Sequence, residues 1–226
     1  ASTKQLRDMA NLVGFTVYDE YYERGTTDFY STLTKVLSKN PDAIDTGVML
    51  EVPPILKQIN ELGFKGYKIG AWYGPTGPQG VVDAIGKAPV EGYLTYMAIS
   101  DYDGPTATEP EKKFATAFKA KFGAYPVTFY AENGYLLQKN VIAPGIVKAG
   151  TLDNDVLINT FQDMVWDTLV PGVQGRFYES VWGIKREITL PIAMAVTRDG
   201  KAVVLARTQS ALMYDLYPNY PKPVLN

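Results

Sequence analysis

Leu6, Met9, Ala10 and Val13 fall at the i, i+3, i+4, i+7 spacing of an amphipathic helix, which Gly14 closes. The run 15-FTVYDEYY-22 then alternates and is rich in β-formers, so it predicts a strand. Gly25 and Thr26 turn the chain, Thr27 or Asp28 caps a helix carrying Phe29, Leu33, Val36 and Leu37, and Asn40-Pro41 stops it. The unit recurs. Residues 43-AIDTGVM-49 predict a buried strand, Pro53-Pro54 opens a helix with Ile55, Ile59 and Leu62 inward, and Gly63 follows. Next come a strand at 67-YKIGAW-72, the loop 70-GAWYGPTGPQG-80, a short helix with Val81, Val82 and Ile85, and a strand at 92-GYLTYMAI-99. Strands alternating with helices at this spacing imply an α/β fold with a parallel sheet covered on both faces. The chain opens on a helix, so the strand expected before it is missing.

After 100-SDYDGPTATEP-110 the rhythm changes to successive helices. Phe114, Phe118 and Phe122 recur every four residues, a second helix is expected over 128–148, and a third over 155–165 with Phe161 and Met164 inward. No strand is expected between them. Beyond 171-PGVQGRFYES-180, strands at 188-ITLPIAMAVT-197 and 201-KAVVLA-206 are joined by the hairpin signal Arg198-Asp199-Gly200, and 217–226 is expected as an extended proline-rich tail.

The composition narrows the chemistry. Of 226 residues, 46% are hydrophobic, enough for one large domain or two smaller ones, and 22 basic against 24 acidic residues are scattered, leaving no footprint for nucleic acid. No apolar run reaches the length of a membrane span, and the amino terminus lacks a leader pattern, which fits a processed chain or one made without a leader. Cysteine and histidine are both absent, which removes disulfides, thiolate nucleophiles, His-based triads and His-ligated metals. Sixteen Tyr, 9 Phe and 3 Trp remain as carriers of affinity for small organic ligands, or as core.

The glycine-rich loop resembles a phosphate cradle only superficially. No basic residue lies between Lys68 and Lys87, and Pro75 and Pro78 remove amide donors that a phosphate would need. The loop does sit at the carboxyl end of a strand, where open α/β sheets present ligands. It carries Trp72, Tyr73 and Thr76, whose two rings serve equally well as packing residues.

These residues carry a resemblance. The run 23-ERGTTDFYSTLTKVLSKNPDAI-44, followed by 55-ILKQINELGFKG-66, is similar to the second lobe of type I periplasmic solute-binding proteins of the Leu/Ile/Val-binding family. Further on, 109-EPEKKFATAFKAKFGAYP-126 and 130-YAENGYLLQKNVI-142 resemble two helices of that family, and 169-LVPGVQGRFYE-179 its Gly-x-x-Gly-x-Phe turn, with Tyr178 where the family has Asp. The resemblance implies two Rossmann-like lobes with parallel sheets. Residues 1–100 and 187–226 would build the second lobe, and 101–186 helices of the first, whose sheet is mostly missing. A second polypeptide or a missing amino-terminal segment would complete it.

It also implies a function without chemistry: a receptor of an ABC importer, periplasmic or membrane-tethered outside the cell, that closes on a small solute and presents it to a permease. No cofactor or metal is implied. By position, the ligand would meet Met49, Leu50 and Glu51 on one loop and Trp72, Tyr73 and Thr76 on the next, with Tyr102 on the crossing segment as a ligand contact or an interlobe packing residue. Where amino-acid-binding members place an acidic partner for the ammonium, this chain has Trp72, unless Glu51 serves. An aromatic or hydrophobic carboxylate therefore fits better than a simple aliphatic amino acid. A ligand-sensing regulator on the same fold and a doubly wound α/β enzyme are the alternatives; for the enzyme only Asp, Glu, Lys, Ser and Tyr remain as reactive groups.

Overall fold

The computed structural model describes residues 7–8, 10–11, 14–47, 50–70, 77–96, 102, 104–105, 107–126, 129–178, 187–188 and 191–209. Residues 7–8 and 10–11 are helical, and Gly14 takes a positive φ of 90° behind them, as the spacing predicts. The strand expected at 15–22 is a correction. Residues 15–23 run without helix or turn, but none of the described residues pairs with them in a ladder. Alternation marks a strand only when a neighbouring strand is there to bond it, and Phe15, Tyr18 and Tyr21 are exposed.

Helix α1 (Tyr30–Leu37) buries Leu33. Two side chains cap it: Asp28 Oδ1 accepts the Tyr30 N–H at 3.1 Å, and Gln58 Oε1, from the next helix, accepts the Phe29 N–H at 2.6 Å. Strand β1 (Ala43–Asp45) is shorter than the expected 43–49. Asp45 Oδ1 accepts the Gly47 N–H at 2.7 Å, and Gly47 turns the chain at φ 72°. Helix α2 (Val52–Glu61) takes its prolines in the first turn and buries Val52, Ile55, Leu56, Gln58 and Ile59, whereas Leu62 is its cap and stays exposed. Phe29, Leu33, Ile44, Ile55 and Ile59 form one core, with Tyr22, Val36, Leu37 and Phe64 packed around it.

Strand β2 (Tyr67–Gly70) is followed by helix α3 (Gly77–Ile85), which starts inside the segment read as a loop through Gly80. Helix α4 (Lys87–Val90) and strand β3 (Leu94–Tyr96) complete the unit. A second core joins Val52, Leu56, Val81, Val90 and Tyr93.

After a group of helices and three strands that form a sheet of their own, the chain returns to this sheet with β7 (Pro191–Arg198) and β8 (Lys201–Gln209), which extend it. The order is β1-β2-β3-β7-β8, with β1, β2 and β3 parallel and β7 and β8 antiparallel to their neighbours. The sheet is mixed, which corrects the parallel expectation. The two strands of a hairpin run antiparallel to each other, so a sheet that takes both of them cannot be parallel throughout. The turn is as the sequence predicts: Asp199 and Gly200 both have positive φ, 50° and 78°, which makes a two-residue loop whose twist matches the strands. Glu91 Oε2 accepts the Asp199 N–H at 2.8 Å, and Lys87 Nζ meets Asp199 Oδ1 at 2.7 Å.

Between β3 and β7 lies a group of helices. Helix α5 (Glu109–Phe122) opens on a reciprocal cap, Thr108 with Glu111, and ends at left-handed Gly123. The expected 128–148 helix is one continuous run made of α6 (Phe129–Leu136), a wider π segment (Leu137–Ile142) and α7 (Ala143–Ala149). The widening has a cause in Pro144, which has no N–H to give the fourth carbonyl back. Helix α8 (Asn154–Gln162) stops three residues before the expected Val165. Val165–Asp167 is instead strand β4, paired antiparallel with β5 (Gln174–Tyr178), which pairs with β6 (Glu187–Ile188). The expectation of helices alone in this part is therefore corrected. Trp166 is buried over Gly175, where a Cβ would run into its indole, and Phe177 packs beside it at 5.4 Å.

Candidate functional site

Because β1, β2 and β3 run parallel, their carboxyl ends open on one edge of the sheet. The floor beneath that edge is a small polar joint. Thr46 Oγ1 and Tyr93 Oη lie 2.9 Å apart, both residues buried, and Thr46 N–H continues the ladder to Ile69 C=O at 2.8 Å. Gly70 makes room for them: a Cβ there would collide with the Tyr93 hydroxyl and stand 2.6 Å from Thr46 Oγ1. A small residue at the end of β2 is thus needed by packing.

Above the floor, Leu50 is 63% exposed while Glu51 is 7% exposed. The glutamate side chain reaches back 26 residues, and Oε1 accepts the Gly25 N–H at 2.8 Å. That bond first, then its own backbone N–H and the charge of Arg24, hold its carboxyl below the usual value, against desolvation. Gly25 has φ 86°, a conformation for which glycine is suited. The Glu51–Gly25 bond sets the 23–26 turn beside Glu51, and burial first, then the Glu51 charge, raises the pKa of the nearby Tyr22 hydroxyl. Sequence reasoning missed this turn as part of the site; its signal was the glycine inside 23-ERGTTDF-29. Nearby, desolvation raises the Asp45 carboxyl, partly offset by the Gly47 N–H.

Of the expected ligand residues, Leu50 and Glu51 stand together at this edge. Met49, Trp72, Tyr73 and Thr76 lie outside the described residues. Tyr102 is buried, its hydroxyl 3.2 Å from Glu132 and its ring 6.4 Å from Phe114 and 6.1 Å from Tyr125. It is thereby part of the aromatic ladder of α5, which continues through Phe118 to Phe122. Among the described residues, no group of three acidic residues could hold a metal ion and no helix is long and apolar enough to cross a membrane. A cleft of about 340 Å³ is lined by Arg7, residues 17–21, Lys35 and Val36 of α1, and Lys39 just beyond that helix.

A family model described as periplasmic binding protein matches residues 1–180, more than half of the chain. The chain belongs to the periplasmic binding protein family. Among curated relatives, a Leu/Ile/Val-binding protein homolog of Brucella abortus is 28% identical over 140 residues, which is 59% of this chain and 34% of that relative. This periplasmic binding protein also has the fold of solved structures. A leucine-binding protein from Thermotoga maritima superposes with a TM-score of 0.72 at 22% identity, over 91% of this chain and 55% of the other. A fatty acid ABC transporter substrate-binding protein from Thermomonospora curvata gives 0.75 at 20% identity, over 99% and 56%. A branched-chain amino acid ABC transporter protein from Thermus thermophilus, with bound valine, gives 0.66 at 19%, over 97% and 59%. The α/β fold is that of type I periplasmic binding proteins. The chain spans about a third of the curated relative and a little over half of these structures.

Proposed function

We propose that this chain is part of the solute receptor of an ABC importer, working outside the cytoplasm and delivering its ligand to a permease. Two lobes close on a small guest that leaves unaltered. The guest meets both only in the closed form, so binding shifts an open-closed equilibrium that the transporter reads. The lobes divide as 1–100 with 187–226, and 101–186, in keeping with the return of β7 beside β3. Polypeptide beyond these 226 residues completes the first lobe, in keeping with the 55% share of the leucine-binding protein's length.

The observation that carries the ligand class is the Glu51–Gly25 bond. With one carboxylate oxygen already holding a main-chain N–H, Glu51 is a weak partner for a ligand ammonium, and exposed Leu50 beside it offers an apolar wall. Met49, Trp72, Tyr73 and Thr76 complete that wall in this reading, and Tyr102 supports the crossing segment. The favoured guest is an aromatic or hydrophobic carboxylate. Of the solved structures that share the fold, the one named for fatty acids falls in that class, while those named for leucine and with bound valine fall outside it.

The test is a thermal-shift screen of the chain with leucine, valine, phenylalanine, phenylacetate and decanoate. A guest at a hundred times its dissociation constant adds about 2.7 kcal/mol of stability. Stabilisation by phenylacetate or decanoate above that by leucine and valine supports the reading. Preference for the amino acids overturns the ligand class, and turnover of any of the five overturns the function.

A further inference from the structure

A guest with a carboxylate needs a cation to meet it, and this side of the site is poor in cations. The sequence that leaves β1, β2 and β3 at their carboxyl ends, residues 46–51, 71–76 and 97–107, contains no Lys or Arg. The segment 21–29, which leads into α1, contains one, Arg24. Acids are more plentiful, with Asp45 and Glu51 at the end of β1 and Glu23 and Asp28 on the segment before α1. An anion without a basic partner is repelled by such a lobe.

The fold brings Arg24 to that edge. Gly25 N–H donates to Glu51 Oε1 at 2.8 Å, which pins the main chain next to Arg24 against the loop that carries exposed Leu50. Thr26 N–H donates to Glu23 C=O at 3.1 Å and closes the turn around Arg24. Gln58 of α2 then holds the residues that follow, donating to Thr27 C=O at 2.8 Å and accepting the Phe29 N–H at 2.6 Å. The turn is therefore fixed to α2 at both of its ends. Arg24 itself is exposed, and its charge acts on both Glu51 and Tyr22. A guanidinium carries five donors in a planar fork, enough to serve Glu51 and a second carboxylate together.

We infer that Arg24 is the residue of this lobe that pairs with the guest's carboxylate, while Leu50 and the apolar residues of the strand-end loops take the rest of the guest. The assignment rests on the carboxylate guest proposed above and adds the residue that selects it. In the open form the pair is exposed and weak. Closure of the lobes shuts out water and strengthens it, so that Arg24 favours an acid over a neutral guest of the same shape.

The test is isothermal titration calorimetry of the chain with phenylacetate and with phenylacetamide, which has the same ring and no charge. The parent is expected to bind the acid at least tenfold more tightly than the amide. Arg24→Gln is expected to bring that preference close to one, and Arg24→Lys, which keeps the charge but not the fork, to retain part of it. A preference that survives Arg24→Gln undiminished overturns the inference and leaves the carboxylate reading standing, with the partner of the charge elsewhere. Equal binding of acid and amide by the parent overturns it as well. If the parent answers to neither phenylacetate nor decanoate, the ligand class fails and the role of Arg24 with it.

Discussion

Glu51 and Gly25 are joined by one hydrogen bond, from the glycine N–H to Oε1 at 2.8 Å, that ties the turn before α1 to the start of α2. Replacing Glu51 by alanine leaves the Gly25 N–H without its acceptor and is expected to lower the melting temperature by about 4 °C, whereas glutamine, which keeps an acceptor, costs about half of that. Differential scanning calorimetry at neutral pH reads the difference.

The two carboxylates at the end of β1 are expected to respond to acid with opposite signs. The folded-state value of Glu51 is lowered, so its contribution is present above the usual carboxylate range and fades as pH falls through the folded value. The gap between the parent and Glu51→Gln therefore closes on acidification. Asp45 is raised, so its charged form opposes folding once pH exceeds that raised value. Asp45→Asn keeps an acceptor for Gly47 and, because the side chain is exposed, is expected to raise the melting temperature at pH 7 only slightly, with the advantage gone below the ordinary aspartate value. Melting curves from pH 3 to 7 for the three proteins check both signs.

Gly70→Ala is expected to destabilise by about 1–3 kcal/mol, because the new methyl meets the Tyr93 hydroxyl and Thr46 Oγ1. Tyr93→Phe alone costs about 1 kcal/mol. The double variant is expected to be better than the sum, since removing the hydroxyl clears the space the methyl needs. Urea unfolding of the two single variants and the double closes the cycle.

Thr108 makes two bonds at once: its hydroxyl accepts from the Glu111 N–H at 3.3 Å and donates to Leu169 C=O at 2.6 Å. Thr108→Ala is expected to cost about 1–2 kcal/mol, and Thr108→Ser to recover most of it. Chemical denaturation followed by far-ultraviolet circular dichroism measures both.

Leu50→Asp is expected to leave the melting temperature of the unliganded chain within about 1 °C, because the side chain is 63% exposed. It is expected to abolish stabilisation by phenylacetate or decanoate, and Trp72→Ala to reduce it at least tenfold in affinity. A response unchanged in both variants would remove these loops from the site.

The parts of the fold legible in the sequence are those whose cause is local. Asp199-Gly200 gave its hairpin because two positive φ values are needed within two residues, and Pro53-Pro54 gave the start of α2. Residues 15–22 misled because their alternation is the same with or without a strand to pair with. Val165 misled because three residues of β4 are too few to interrupt the helical spacing before them. The candidate site was legible as a position, the ends of parallel strands, but not as a set of bonds. Nothing near Glu51 in sequence announces that its partner is Gly25, and the rings of Trp72 and Tyr73 lie outside the described residues.

The register of β3 with β7, Leu94 opposite Val196, carries a lesson about synthesis. While the ribosome makes this chain, the half-built sheet keeps a raw flank until the distant hairpin emerges, with a whole set of helices translated in between. Such delayed closure slows folding and prolongs the time in which the flank can capture the wrong strand. It also means that a cut within the intervening helices would leave two pieces still zipped together along β3 and β7, so that a nicked sample would keep its sheet until denatured.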